Sequence, residues 1–271
     1  MPAHAAHGGS DLPERAVPGA SNLRPEVHLA ARRLARACAH HVLELLSPTR
    51  CAACERPGRL ICDACLDAMV RIDPRESCRY CGAPAGRLVC TECDMEPGAH
   101  DRCLAATVFE GPPARIVRAY KDGGERRLAR EIASVLARAA IDAERCAPDR
   151  YGGLLTSTDA IVFVPVTAQA YRRRGFDHME AIARELAEMV GLPVHDALVK
   201  HGAADQRVFT REERWAAGRG AYEVVEPVGD MRLLLIDDVI TTGSTLNAAA
   251  SALVDAGAEH VDALAFARVW A

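Results

Sequence analysis

A parallel α/β fold preceded by a small cysteine-rich module is predicted by three features of the sequence. Two short apolar runs, Ala160 to Val166 and Leu233 to Ile236, each lead through a polar turn into a helical stretch. Ahead of them, four C-x-x-C pairs crowd between residues 51 and 93. A continuous apolar run of strand length suits a strand covered on both faces, as parallel strands are. Repetition of strand, polar turn and helix gives the α/β class.

The run Leu233-Leu-Leu-Ile236 is followed at once by Asp237 and Asp238, then by Thr241-Thr242-Gly243-Ser244-Thr245 and an alanine-rich helical stretch. Unpaired backbone N–H groups at such a helix start, helped by the helix dipole, form an anion site. Gly243 lets the backbone approach a phosphate, and the threonine and serine hydroxyls add donors. Ionised carboxylates only accept hydrogen bonds, so Asp237 and Asp238 suit sugar hydroxyls beside that phosphate. The stretch reads as a ribose 5-phosphate site. Its bland alternative is an ordinary strand–helix junction.

Composition sets bounds. The 271 residues allow one substantial core plus something smaller, and 49% hydrophobic with 26% charged residues is globular. A net charge of −4 gives no general pull toward nucleic acid or acidic membranes. No apolar run is long enough to span a bilayer, so no membrane insertion is expected. The amino terminus lacks a secretory pattern, and the chain is read as cytoplasmic.

Eleven cysteines need a reason, and in a reducing compartment metal ligation is favoured over disulfides. The pairs are Cys51/Cys54, Cys62/Cys65, Cys78/Cys81 and Cys90/Cys93. CAACERPGRLICDAC and CRYCGAPAGRLVCTEC repeat one layout, two knuckles closing a four-sulfur shell. Two structural zinc ions per chain are expected. Redox C-x-x-C motifs, a disulfide framework and an iron–sulfur cluster are the alternatives. Seven basic against nine acidic residues from Cys51 to Cys103 argue against DNA binding by this segment.

In chain order, residues 1–27 are read as a disordered tail and 28–47 as an amino-terminal helix ended by Pro48. Residues 48–103 form the double zinc ribbon, and 104–271 the main domain. In the main domain, a strand near ATVFEG precedes two helical stretches broken at Asp122-Gly123-Gly124, with Lys121 beside the break. Thr167 to Asp177, TAQAYRRRGFD, is read as a basic loop, and Met179, Ile182, Ala183 and Leu186 mark a helix with one apolar face. Residues 194 to 230, with Gln206, Arg211, Arg214, Arg219 and Gly220, are read as a mobile cover. A last strand is expected from Glu259 to Ala267.

The stretch LLLIDDVITTGST resembles the phosphoribosyl-pyrophosphate (PRPP) motif of type I phosphoribosyltransferases. With LLSPTRCAAC, the paired C-x-x-C modules, FEGPPARIVRAYK, VPV…RRRGFDH and the Gln206 to Arg214 spacing, the order resembles the ComF family of competence proteins from Leu43 to Arg268. That family carries Asn-Gln where this chain has Asp177-His178, and an asparagine where it has Ala217. The resemblance implies the type I phosphoribosyltransferase fold, with about five parallel strands and the ligand at their carboxyl ends. It implies that Asp237 and Asp238 hold the ribose hydroxyls and that Thr241, Thr242, Gly243, Ser244 and Thr245 cradle the 5-phosphate. Arg172, Arg173 and Arg174 would face pyrophosphate, with Arg173 catalytic and Thr167 and Lys121 also at the substrate. Magnesium would accompany PRPP, and a nitrogen acceptor of unknown identity would displace pyrophosphate. A competence helicase-like protein or single-stranded DNA is the implied partner. The alternative is a non-catalytic PRPP- or nucleotide-binding accessory protein.

Overall fold

The structure is a computed structural model that describes residues 48–86, 90, 93, 98–201 and 221–270. The tail and amino-terminal helix expected over residues 1–47, and Gln206, Arg211, Arg214, Ala217, Arg219 and Gly220, lie outside the described residues. The described part of Thr49–Ala271 belongs to one compact unit.

The cysteine-rich segment contributes a short helix α1 (Asp63–Asp67) and a 3-10 turn at Pro74–Glu76. Then follow β1 (Arg102–Val108), α2 (Gly111–Lys121), α3 (Leu128–Cys146), α4 (Pro148–Tyr151) and β2 (Ala160–Phe163). Next come α5 (Ala168–Arg174), α6 (His178–Val190), β3 (Leu198–Lys200) and β4 (Tyr222–Val224). The chain closes with β5 (Arg232–Ile240), α7 (Ser244–Asp255) and β6 (His260–Arg268).

Four strands form a sheet in the order β1-β6-β5-β2, every pair parallel. The expected parallel sheet with flanking helices is what the chain adopts. The expected fifth strand is reduced to a single bridge, Ile161 to Val194, beside β2; the antiparallel pair β3 and β4 stands apart. Pro193 cannot donate to a ladder, so the pairing does not extend ahead of Val194.

The apolar run of β5 divides between two cores because successive side chains point to opposite faces. Leu234 and Ile236 join Phe266, Leu136 and Ile182, where α3 and α6 pack. Leu233 and Leu235 join Ala263, Ala265, Leu246, Ala249 and Leu253 under α7. The alanines of α7 let it lie close to the sheet. β5 is longer than its apolar core: it runs on to Ile240, so both aspartates lie within the strand, with Asp237 opposite Ala265.

The segment read as a basic loop is another correction. Seven of its residues form α5, because Thr167 Oγ1 caps the helix by accepting from Ala170 N and Gly175, at φ 74°, ends it.

Candidate functional site

The site forms at the carboxyl ends of β2 and β5. Adjacent strand residues face opposite ways, so Asp237 and Asp238 have different surroundings. Asp238 faces the side of α2 and α6, where Lys121 ends one helix and His178 begins the other. Tyr120 OH donates to the His178 carbonyl at 2.7 Å, which draws these two helix ends together. Lys121 Nζ forms an ion pair with Asp238 Oδ2, and His178 Nε2 lies 2.7 Å from the same oxygen. Arg174 Nη1 is 3.4 Å from His178 Nδ1. A guanidinium only donates, so Nδ1 is the acceptor and Nε2–H donates to Asp238.

Both carboxyl groups are buried. Desolvation and the neighbouring Asp238 charge push Asp237 up to about 7. Desolvation also works against ionised Asp238, yet the His178 hydrogen bond and the Lys121 charge outweigh it and hold this carboxyl below its usual range. A cavity of about 310 Å³ opens here, with Lys121, Thr167, Arg174, His178, Asp237, Asp238 and Thr245 on its walls.

Past Ile240 the chain turns into α7. Gly243 takes φ 81°, a left-handed conformation that glycine adopts without strain. Gly243 offers no side chain to cap α7, so apart from the Ser244 N–H its first-turn N–H groups stay available to an anion. Thr242 Oγ1 accepts from Ser244 N at 3.3 Å and donates to Ser244 Oγ at 3.0 Å, bracing the turn. A small pocket lined by Asp237, Thr241, Gly243 and Thr245 lies between turn and strand end.

The three arginines diverge because helical neighbours are about 100° apart. Arg174 faces the main cavity with Thr167. Arg172 faces a second cavity of about 410 Å³ on the other side of α5. Arg173 is exposed and lines neither. Asp177 caps α6, accepting from Met179 N at 2.8 Å and Glu180 N at 3.2 Å, and its other oxygen accepts from Val166 N at 3.0 Å. The acidic residue therefore serves the backbone. Sequence reasoning missed His178 and Lys200 as cavity residues. Asp177-His178 was visible as a departure from a family pattern, whereas nothing in the sequence marked Lys200.

The eight paired cysteines form two clusters, Cys51/54/62/65 and Cys78/81/90/93, with the sulfurs of each within 4.8 Å of one another. Four thiolates about 2.3 Å from Zn²⁺ stand about 3.8 Å apart at a tetrahedron's edges. Cys54 to Cys62 and Cys81 to Cys90 are each 3.6 Å, so both donor sets fit zinc. The modules repeat in detail: Cys62 N donates to Cys51 Sγ and Cys90 N to Cys78 Sγ, each at 3.4 Å. The residue after each first knuckle is left-handed, Glu55 at φ 63° and Gly82 at φ 68°. Only the second needs glycine for space, since a Cβ there would lie 2.9 Å from Ala105 N of β1. Among the described residues every cysteine is free of disulfides, and no helix is long and apolar enough to cross a membrane.

No protein-family model matches the chain. It is 28% identical over 226 residues to the DNA utilization protein YhgH of Salmonella typhi, covering 80% of this chain and 96% of that protein. It is 25% identical over 198 residues to competence protein F of Haemophilus influenzae, covering 70% and 84%. Among solved structures it is similar to a glutamine PRPP amidotransferase from B. subtilis, at 24% identity and a TM-score of 0.32. That match takes in 42% of this chain and 24% of the other, too distant to decide function. The relatives, with two four-cysteine clusters that fit a double zinc ribbon and the parallel sheet behind them, make this chain a homologue of the DNA utilization and competence F proteins.

Proposed function

We propose that the chain binds PRPP and transfers its phosphoribosyl group to a nitrogen acceptor. One observation carries this reading: an uncapped helix start beside a left-handed glycine and two buried carboxylates share a single strand end. The 5-phosphate lies on Thr241 to Thr245, and the ribose diol lies against Asp237 and Asp238. Lys121 and Arg174 supply positive charge on the pyrophosphate side, with Thr167 at the cavity wall. Arg172 and Arg173 reach pyrophosphate only if α5 shifts. The acceptor nitrogen forms the new bond to the anomeric carbon as its bond to the pyrophosphate oxygen breaks. Pyrophosphate leaves with that electron pair, and the nitrogen gives up its proton to solvent. Positive charge builds on the ring during this step, and the fixed Asp238 carboxylate favours it electrostatically. Magnesium would neutralise the pyrophosphate as part of the substrate.

A second reading, a PRPP- or nucleotide-binding accessory protein without turnover, is favoured by the tie-up of Asp238 with Lys121 and His178. The relatives' names bring DNA utilization or competence to this chain as the process served in either case. Magnesium-dependent pyrophosphate release from PRPP, measured against a panel of bases and amines, separates the two. Release with some acceptor supports the transferase; PRPP binding with no release across the panel supports the accessory protein. The cysteine clusters are read as structural zinc sites, and elemental analysis of purified protein should give about two zinc ions per chain. Zinc-free protein, or iron with visible absorbance, removes that reading.

A further inference from the structure

Two buried arginines on the sheet have opposite company. Arg102, at the start of β1, meets Asp262 with two parallel hydrogen bonds of 2.8 and 2.7 Å and donates to the carbonyls of Arg150 and Gly152 at 3.0 Å. Arg268, at the end of β6, is 4% exposed and among the described residues meets only neutral oxygens. Its Nη1 donates to the carbonyls of Ile240 at 3.4 Å, of Thr241, and of Val269 at 2.6 Å. Its Nε is buried without a partner, and among the described residues no carboxylate pairs with it. A buried guanidinium lacking a counter-charge is costly, and an unmatched buried donor adds to that cost.

The place of this charge matters. Ile240 and Arg268 are register partners, so the guanidinium reaches across the end of β5 to the first carbonyls of the turn that leads into α7. A trans peptide points its N–H opposite to its C=O. Holding the Thr241 carbonyl toward Arg268 therefore turns the Thr242 N–H to the other side.

We infer that Arg268 is a positioning residue for a phosphomonoester dianion on Thr241 to Thr245. It fixes the turn through its carbonyls, and the bound dianion supplies the negative charge that the fold withholds from it. The inference rests on the reading of this turn as the 5-phosphate site.

Calorimetric titration of the full chain with ribose 5-phosphate and, separately, with pyrophosphate tests it, using wild type, Arg268→Met and Arg268→Lys. A coupling of about 1.4 kcal/mol between this charge and the dianion across the turn is tenfold in affinity. Arg268→Met should weaken ribose 5-phosphate by about that factor and leave pyrophosphate nearly unchanged. Arg268→Lys should fall between, since it keeps the charge and loses the planar fork. Wild-type affinity for ribose 5-phosphate should drop as pH falls through the phosphate's second ionisation, near 6, and that pH dependence should shrink in Arg268→Met. Unchanged ribose 5-phosphate affinity in Arg268→Met, or equal losses for both ligands, overturns the inference. If Arg268→Met does not fold, Arg268→Lys decides by the same comparison. Wild type that binds pyrophosphate and not ribose 5-phosphate overturns the phosphate-site reading itself, a result distinct from failure of the variants alone.

Discussion

The two ends of the parallel sheet treat charge differently. At the amino-terminal end charges satisfy one another. Arg102 pairs with Asp262, and His260 sits between Asp101 at 2.9 Å and Asp262 at 3.1 Å. Asp159 accepts from the backbone of Arg232 at 2.8 Å. At the carboxyl end Asp238 is closed by Lys121 and His178, but its neighbours stay open: Asp237 is buried beside it, Arg268 meets only carbonyls among the described residues, and α7 has no side-chain cap. Lys200 stands over the Tyr222 ring, 5.2 Å from its centroid, with no carboxylate joined to it among the described residues. β1, β2 and β5 each lead into a loop and helix start at this end, which is where ligands of open α/β sheets bind. Closed pairs stabilise the fold, whereas open ones hold interactions in reserve for a ligand at some cost in stability.

That contrast can be broken from the stabilising end first. Asp262→Ala leaves Arg102 buried without its partner, so denaturant unfolding should show a loss of about 3–5 kcal/mol. PRPP affinity of the protein that remains folded should hardly change. At the open end the order reverses. Gly243→Val forces a branched side chain into a left-handed backbone position at the anion site, and PRPP binding measured by calorimetry should fall more than in any carboxylate variant. Asp238→Ala should weaken PRPP by roughly ten- to a hundredfold, the worth of a charge-assisted hydrogen bond, and should also lower the unfolding midpoint, because it leaves Lys121 and His178 without their shared carboxylate. Unchanged affinity in both variants would make the turn an ordinary strand–helix junction.

A last test sharpens the comparison through pH. Burial and Asp238 raise the Asp237 carboxyl from 3.8 to about 7. The folded chain therefore keeps a proton that the unfolded chain releases within this range. Its stabilising contribution is fully present below about pH 4 and is lost as pH rises through about 7. Asp237→Asn keeps an acceptor for the Asp238 N–H and cannot titrate. Unfolding midpoints measured from pH 4.5 to 7.5 should fall with pH more steeply in wild type than in the variant.

Much of this was legible in the sequence. Leu233 to Ile236 is apolar without interruption because both faces of β5 are covered, and burial on both faces leaves that mark in one chain alone. The cysteine spacing likewise gave both four-sulfur clusters, since a knuckle is a local structure. Met179, Ile182, Ala183 and Leu186 disclosed the buried face of α6, and the glycines after Asp122 the break between α2 and α3. Where local signals compete, the reading failed: the arginines of α5 looked like a loop because their charge hid a seven-residue helix fixed by the Thr167 side chain. Which side chains meet was decided only by tertiary structure. Lys121, His178 and Asp238 are far apart in the chain, and they converge because the Tyr120 hydroxyl ties α2 to the start of α6 over the end of β5. Arg268 reads in sequence as one more basic residue near a terminus. Its burial and missing counter-charge come from the register that sets β6 beside Ile240, and pairing between distant strands is a property that no local pattern encodes.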